Sequence, residues 1–280
     1  MRTILFPLLL LALPPAWAGD RLVVTGGAQQ LEGAGGGGLV PWALIAGYGT
    51  RDQVGGSVFA TRVHTQDFTV ESYGAAIGFF DRVELSAARQ SLDAGSVVPG
   101  LELRMETLGA KVRLFGDALY DQDSPWPQVA VGLQHKRNRD MIVPLAIGAV
   151  RESDTDFYVA ATKLWLAGAA GRNLVGNLTL RATRANQLGL LGFGGDRNDS
   201  RRLQAEASLA VLVHDRLVVG GEYRTKPDNL SAFKEDDFAD VFVAWFPGKH
   251  AAVTLAWARL GSVAGKSGQG GAYLSFQLTL

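Results

Sequence analysis

The sequence predicts an all-β fold, a transmembrane antiparallel up-and-down β-barrel of about fourteen strands, with twelve as the alternative. Three observations lead there. The final segment alternates, with Ala272, Leu274, Phe276, Leu278 and Leu280 on one face and Tyr273, Ser275, Gln277 and Thr279 on the other. Side chains of a strand alternate with period two, so the chain ends in a strand with an apolar side and a wet side, as barrel closure in lipid requires. Short connections and longer ones also alternate back along the chain, which suits the two rims of a membrane barrel. Finally, 47% of the residues are hydrophobic and 35 are glycine, yet beyond residue 18 no run approaches the ~18 consecutive apolar residues of a membrane helix.

Taken in order, residues 1–18 have the pattern of a secretory signal peptide. Arg2 is the only charge before Asp20, Ile4 to Leu13 is apolar apart from Pro7, and Ala16-Trp17-Ala18 meets the small-x-small rule for cleavage near Ala18. The mature chain, 19–280, is expected to form one barrel domain in the bacterial outer membrane. Its opening, 19–38, ends in the glycine run Gly33 to Gly38 and reads either as a Gly-rich first strand or as a plug segment. Strands are expected near 22–31, 40–50, 54–64, 68–80, 82–92, 102–115, 127–138, 155–167, 174–186, 201–213, 215–226, 238–246, 250–261 and 271–280. Short connections fall at 50–53, 80–82, 168–173, 214–215 and 247–249, and longer ones at 93–100, 139–154, 187–200, 227–236 and 261–270. The segment 116–126 is long for a periplasmic turn.

Within 201–213, Leu203, Ala205, Ala207, Leu209, Val211 and Val213 oppose Arg202, Gln204, Glu206 and Ser208. In 102–115 the phase slips near Glu106-Thr107, and Arg259 falls on the apolar face of its strand; a bulge or a rim position accounts for each. Tyr48, Phe79, Phe80, Phe115, Trp126, Trp165, Trp245 and Phe246 gather at the expected periplasmic ends. Tyr158, Tyr223, Phe238, Trp257 and Tyr273 lie nearer the other ends, the arrangement of two interfacial girdles.

Five stretches carry a family resemblance: 36–52 (GGLVPWALIAGYGTRD after Gly36), 111–117 (KVRLFGD), 191–197 (LGFGGDR), 222–230 (EYRTKPDNL) and 243–250 (VAWFPGKH). Together they make the chain similar to Domain of Unknown Function 3034, a family of uncharacterised envelope proteins of Gram-negative bacteria, over nearly the whole mature length. The resemblance implies an envelope protein and brings no activity or site residues with it.

Several function classes are disfavoured. The chain has no cysteine, and 27 Lys+Arg balance 27 Asp+Glu, so neither a disulfide scaffold nor a nucleic-acid partner is expected. An enzyme is not expected either, because His64, His135, His214 and His250 form no His-x-Ser pair on a strand. Gly33 to Gly38 precedes no strand–helix unit and no P-loop lysine, so it is flexible backbone rather than a phosphate cradle. Asp196/Asp199 and Glu235-Asp236-Asp237 offer oxygen ligands without EF-hand spacing, and no metal or cofactor is expected.

The inward face remains. Strand parity turns Glu84, Lys111, Arg113, Lys163, Arg181, Glu206, Glu222, Arg224 and Asp240 into the lumen. Bases dominate from 102–115 to 174–186 and acids from 201–213 to 238–246, and such charged walls set selectivity in pores. Lys111, Arg113, Lys163, Arg181, Glu206, Glu222, Arg224 and Asp240 are thus the selectivity candidates of a passive porin-like channel for small polar or charged solutes. One alternative is a transporter of a hydrophobic compound, guided by the apolar loop stretches Met141 to Val150 and Leu188 to Phe193; packing of these against lipid or other loops is the expectation. The other is a sealed structural barrel, with Arg181 and Glu206 salt-bridged across the lumen. Expected partners are outer-membrane lipid, the small solute, and the barrel-assembly machinery, which would read the strand Ala272 to Leu280.

Overall fold

The structure, a computed structural model, describes Arg21 and residues 23–280; the signal peptide and its cleavage site lie outside the described residues. Twelve strands pair in chain order into one closed barrel. They are β3 (Val54–Thr65), β4 (Thr69–Phe79), β5 (Val83–Asp93), β6 (Glu102–Phe115), β7 (Gln128–Asn138), β8 (Ser153–Ala169), β9 (Arg172–Thr183), β10 (Arg202–His214), β11 (Leu217–Arg224), β12 (Phe238–Gly248), β13 (Ala251–Val263) and β14 (Lys266–Thr279). The last strand lies antiparallel to the first barrel strand, from Gly271 opposite Thr65 to Thr279 opposite Ser57, so no sheet edge is left open. The twelve-strand alternative is therefore the one that forms.

The terminal strand behaves as its alternation predicts. Leu274, Phe276, Leu278 and Leu280 point outward and are exposed, while Tyr273, Ser275, Gln277 and Thr279 are buried. The same partition runs around the wall, where Val58, Leu85, Leu108, Leu178, Val241 and Leu255 are exposed outside. Hydrocarbon is the solvent that fits such a surface, and a closed barrel satisfies its backbone there. No described helix is long and apolar enough to cross a membrane. Trp126, Trp165, Trp245, Phe80 and Phe115 are exposed at one end of this belt, whereas Tyr48, Phe246, Tyr158, Phe238 and Tyr273 are buried and belong to no girdle.

Two expected strands, 22–31 and 40–50, are absent from the wall. Only β1 (Ala28–Gln29) and β2 (Gly35–Gly36) form there, and they pair with each other alone. A wall strand would alternate between lipid and lumen, but every residue from 29 to 49 is buried. The segment is a plug. It enters at the end carrying the short turns, where Arg21 Nη1 lies 3.2 Å from Asp81. It climbs until the Leu31 carbonyl accepts hydrogen bonds from Ser72 Oγ (2.6 Å) and Gln90 Nε2 (2.7 Å), then returns past Ala46 to the turn that starts β3.

The opposite end, with the long loops, is closed by the β9–β10 connection. Its Leu188, Leu190, Leu191 and Phe193 pack with Leu31, Phe68, Leu92, Leu103, Met105, Phe238 and Leu260 in a buried apolar cluster. Residues 188–193 are thus a constriction and do not pack against lipid, while Ile142 and Leu145 of the short helix α1 (Ile142–Ala146) stay exposed. The apolar cluster also removes the supposed phase slip in β6. Leu103, Met105, Thr107, Lys111 and Arg113 all face inward, and the first two are apolar because they meet this lid. The expected loop at 261–270 is a tight hairpin, with Val263 opposite Lys266.

Side chains from β7 and from the β11–β12 connection hold the lid. Asn138 Nδ2 donates to the Gly189 and Leu190 carbonyls (3.1 and 2.8 Å), and Asn229 Nδ2 donates to Asn186 Oδ1 (2.9 Å). Glu235 accepts from the Gln187 amide at 3.0 Å and lies 3.4 Å from Lys226 Nζ. Burial pushes the Glu235 carboxyl above its ordinary value, against the pull of Lys226. Phe193→Ala would hollow the lid at a cost of about 3–5 kcal/mol. The expected result is rapid proteolytic cleavage within 184–201 in an otherwise intact barrel, and unchanged cleavage would show that the lid does not depend on this ring.

Candidate functional site

Inward positions on five neighbouring strands bring charges of both signs together. Arg181 on β9 lies 2.6 Å from Glu206 on β10 and 3.4 Å from Asp156 on β8. Lys136 on β7 is 2.6 Å from Asp156, and Arg224 on β11 is 3.1 Å from Glu206. The plug supplies the remaining member. Glu32 pairs with Lys136, lies 2.6 Å from Arg224 and 3.7 Å from Arg181. Three cations thus face three anions, all nearly inaccessible to solvent, and Arg181 also donates to Gln134 Oε1 (2.6 Å) beneath the Tyr158 ring. Buried ions are tolerated when paired and hydrogen-bonded, and removing one partner strands the rest. Glu32 therefore latches the plug to the wall.

A second attachment lies nearer the turn end. Lys111 Nζ donates to the carbonyls of Gly35, Trp42 and Leu44, all on the plug, at 2.8, 3.1 and 2.6 Å. Its ion-pair partner Glu84, 3.0 Å away, accepts from the amides of Gly35 (3.0 Å) and Ala46 (2.8 Å). Arg113 pairs with Asp81 and Asp117 at the rim. Lys163 holds the 116–127 connection by donating to the Asp121 and Ser124 carbonyls (2.7 and 2.9 Å). That connection is long because it folds back against the barrel mouth.

Glu222 on β11 and Asp240 on β12 differ from these groups. They stand directly opposite each other on adjacent strands, both buried, and neither enters an ion pair among the described residues. Glu222 accepts from the Leu39 amide and Ser208 Oγ, each at 2.7 Å, and its own amide donates to Asp240 Oδ1 at 3.2 Å. Both line a cavity of about 350 Å³ between plug and wall, with Tyr273 beside them. Its other walls are largely apolar, including Trp42, Leu44, Leu164, Val218, Phe242 and Phe246.

The glycine run explains how the plug comes so close. A Cβ on Gly37 would sit inside the Glu222 carboxylate, and one on Gly38 would lie 2.9 Å from the Tyr273 hydroxyl. Apart from the two-residue β2, the run is neither a wall strand nor free linker but backbone pressed onto the wall. Gly37→Val is expected to lift this part of the plug and expose Leu39 and Ala43 to amide hydrogen exchange; protection equal to the parent chain would contradict the packing.

Lys163 is not in the lumen: Thr162 and Leu164 on either side of it turn inward, and it lies on the outer side with Ala161 and the exposed Trp165, buried because the 116–127 connection covers it. The other seven sequence candidates face inward and are buried, as parity placed them. They do not line an open pore with one basic and one acidic wall. Asp156 and Glu84 sit among the bases and Arg224 among the acids, so most charges neutralise one another. Lys136 is missing from the candidate set although its strand parity assigns it inward, and Asp156 is missing because the parity that placed Lys163 inward turned Asp156 outward. Glu32 could not be placed by strand parity, because it lies on no wall strand.

The closed belt, apolar outside and polar within, defines a plugged β-barrel of the outer-membrane type. The chain belongs to the family described as Protein of unknown function (DUF3034), whose model matches residues 25–277. No curated protein matches it. Among solved structures it is similar to the outer membrane protein Omp33 of Acinetobacter baumannii, at 9% identity and a TM-score of 0.47, covering 82% of this chain and 100% of that one. It is similar also to the NanC porin, at 10% identity and a TM-score of 0.48, with coverages of 80% and 100%. The Escherichia coli outer membrane phospholipase A gives 8% and 0.40, with coverages of 84% and 94%.

Proposed function

We propose that this protein is a gated transport barrel of the bacterial outer membrane, closed at rest by residues 23–49 from the turn end and by residues 184–201 from the loop end. The observation that carries this is the latch. One plug carboxylate, Glu32, completes the charge balance of Lys136, Arg181, Arg224, Asp156 and Glu206. The plug takes no part in the wall pairing, and its own sheet is two residues long on each side. It can therefore withdraw without breaking a backbone hydrogen bond between wall strands, leaving a lumen wider than the eight-stranded case that side chains fill. The porin-like passage of small solutes is retained in this form as a gated event. An enzymatic role finds no support in the histidines, since His64 and His135 face outward and bond to Thr69 and Thr155.

Planar-bilayer recording on the unmodified protein tests the proposal. The expected trace is a closed baseline with brief openings. A steady, always-open conductance would refute it.

A further inference from the structure

We infer that the cavity between plug and wall binds an amphipathic amine, its alkyl chain against the apolar walls and its ammonium group on Glu222 and Asp240. This rests on the transport proposal and names the substrate class for it.

The cavity has two unlike ends. At its floor, Glu222 and Asp240 face each other across one strand pair. Like charges directly opposite on adjacent strands repel, and low dielectric strengthens the repulsion. Every other buried carboxylate of the lumen interior is compensated: Glu32, Glu84, Asp156 and Glu206 each lie in an ion pair with Lys or Arg. Glu222 and Asp240 have none, and Asp240, only 7% exposed, accepts a single hydrogen bond. Two uncompensated acids at the floor of a cavity create a place for a cation that the chain itself does not fill.

The rest of the cavity excludes a small hydrophilic cation as the whole ligand. Leu44, Leu164, Val175, Leu212, Phe242 and Phe246 line it toward the turn end. Leu166 and Tyr120, which also line it, are 59% and 56% exposed, so it reaches the rim there. A volume near 350 Å³ with apolar walls and a few convergent polar groups is the range of small-molecule sites. Burying methylene groups supplies affinity, and the paired carboxylates supply the choice of head group. Alcohols and acids of equal chain length lack the charge or carry the wrong sign. Each plug atom that fixes Glu222, the Leu39 amide above all, also ties occupancy of this floor to the position of the plug.

The test is equilibrium binding of octylamine, octanol and octanoate to the full-length barrel in zwitterionic nanodiscs, with empty nanodiscs as the blank for lipid partition. Octylamine is expected to saturate one site, with octanol and octanoate at least tenfold weaker. Glu222→Gln combined with Asp240→Asn should weaken octylamine at least tenfold and leave octanol unchanged. Asp240→Asn alone, which keeps the Glu222 contacts to the plug, should show an intermediate loss; gel-mobility shift on heating confirms that each barrel is folded. Equal binding of octylamine and octanol, binding of neither, or wild-type octylamine affinity in the double variant overturns the assignment and leaves the gate intact. Selective octylamine binding supports the assignment, even in a protein that never conducts, where only the gate would fall.

Discussion

A chain lacking residues 21–49 is expected to conduct steadily in planar bilayers where the full-length protein opens only briefly. The wall strands do not pair with the plug, so the deletion leaves the ring of β3 to β14 complete. What it removes is the set of backbone groups held by Lys111 and Glu84 and the carboxylate shared by Lys136, Arg181 and Arg224. Water then replaces the plug around these side chains, which remain partly paired through Asp156 and Glu206. Glu32→Gln makes the subtler version of the same experiment. It leaves the buried cluster with one excess positive charge, a defect that costs about 3–5 kcal/mol when a buried ion pair loses one partner. If about 3 kcal/mol of that falls on the docked plug, the withdrawn state becomes more than ~100-fold more populated. Opening frequency in single-channel records reads this directly, and an unchanged frequency would show that Glu32 does not hold the gate.

The second large effect concerns the wall itself. Arg181→Ala removes the residue that touches Glu206, Asp156, Glu32 and Gln134 at once. Three carboxylates then share Lys136 and Arg224, and the cluster carries one excess negative charge in a nearly dry lumen. A loss of about 3–5 kcal/mol in unfolding free energy is expected, measured by urea titration of the barrel in lipid vesicles. Arg181→Gln together with Glu206→Gln restores the charge balance. That pair should cost less than the sum of its single substitutions, because the two residues are in direct contact. Full additivity would mean that the cluster does not act as a unit.

How much of this was legible in the sequence depends on what each residue faces. Wall strands announce themselves, because lipid outside and a polar filling inside impose period two; the stretch from Leu203 to Val213 and the terminal strand are the clearest cases. Residues 19–38 were read as either a strand or a plug segment, and 40–50 was misread as a wall strand for the same reason that it belongs to the plug. Residues 39–46 (LVPWALIA) are apolar without alternation and contain Pro41, and a segment buried on every side needs no alternation. That missing period was the available signal, together with the glycine run before it. Leu103 and Met105 looked like a phase slip because an inward face was assumed to be polar at every height. The lid makes the lumen apolar at the loop end, and no local pattern in β6 reports a loop some eighty positions away. Charges other than Lys163 were placed on the correct face, but their partners were not; in β8 the apolar inward residues Ala160 and Leu164 hid the phase that turns Lys163 outward. Arg181 and Glu206 are neighbours by register, whereas Glu32 reaches them only through the re-entry of the plug. The distinctive property of Glu222 and Asp240, the lack of a cation, is a property of all their surroundings and has no sequence signature.

The central claim is that residues 23–49 occupy the lumen, and Ala43→Cys tests it most directly. Ala43 is fully buried against Ala130, Tyr158 and Ala160, the substitution is small, and the chain has no other cysteine. A water-soluble maleimide added to the folded barrel should leave this thiol unmodified, and should label it completely once the barrel is unfolded in denaturant. Complete labelling of the folded barrel within minutes would place Ala43 in open water and contradict the plugged lumen.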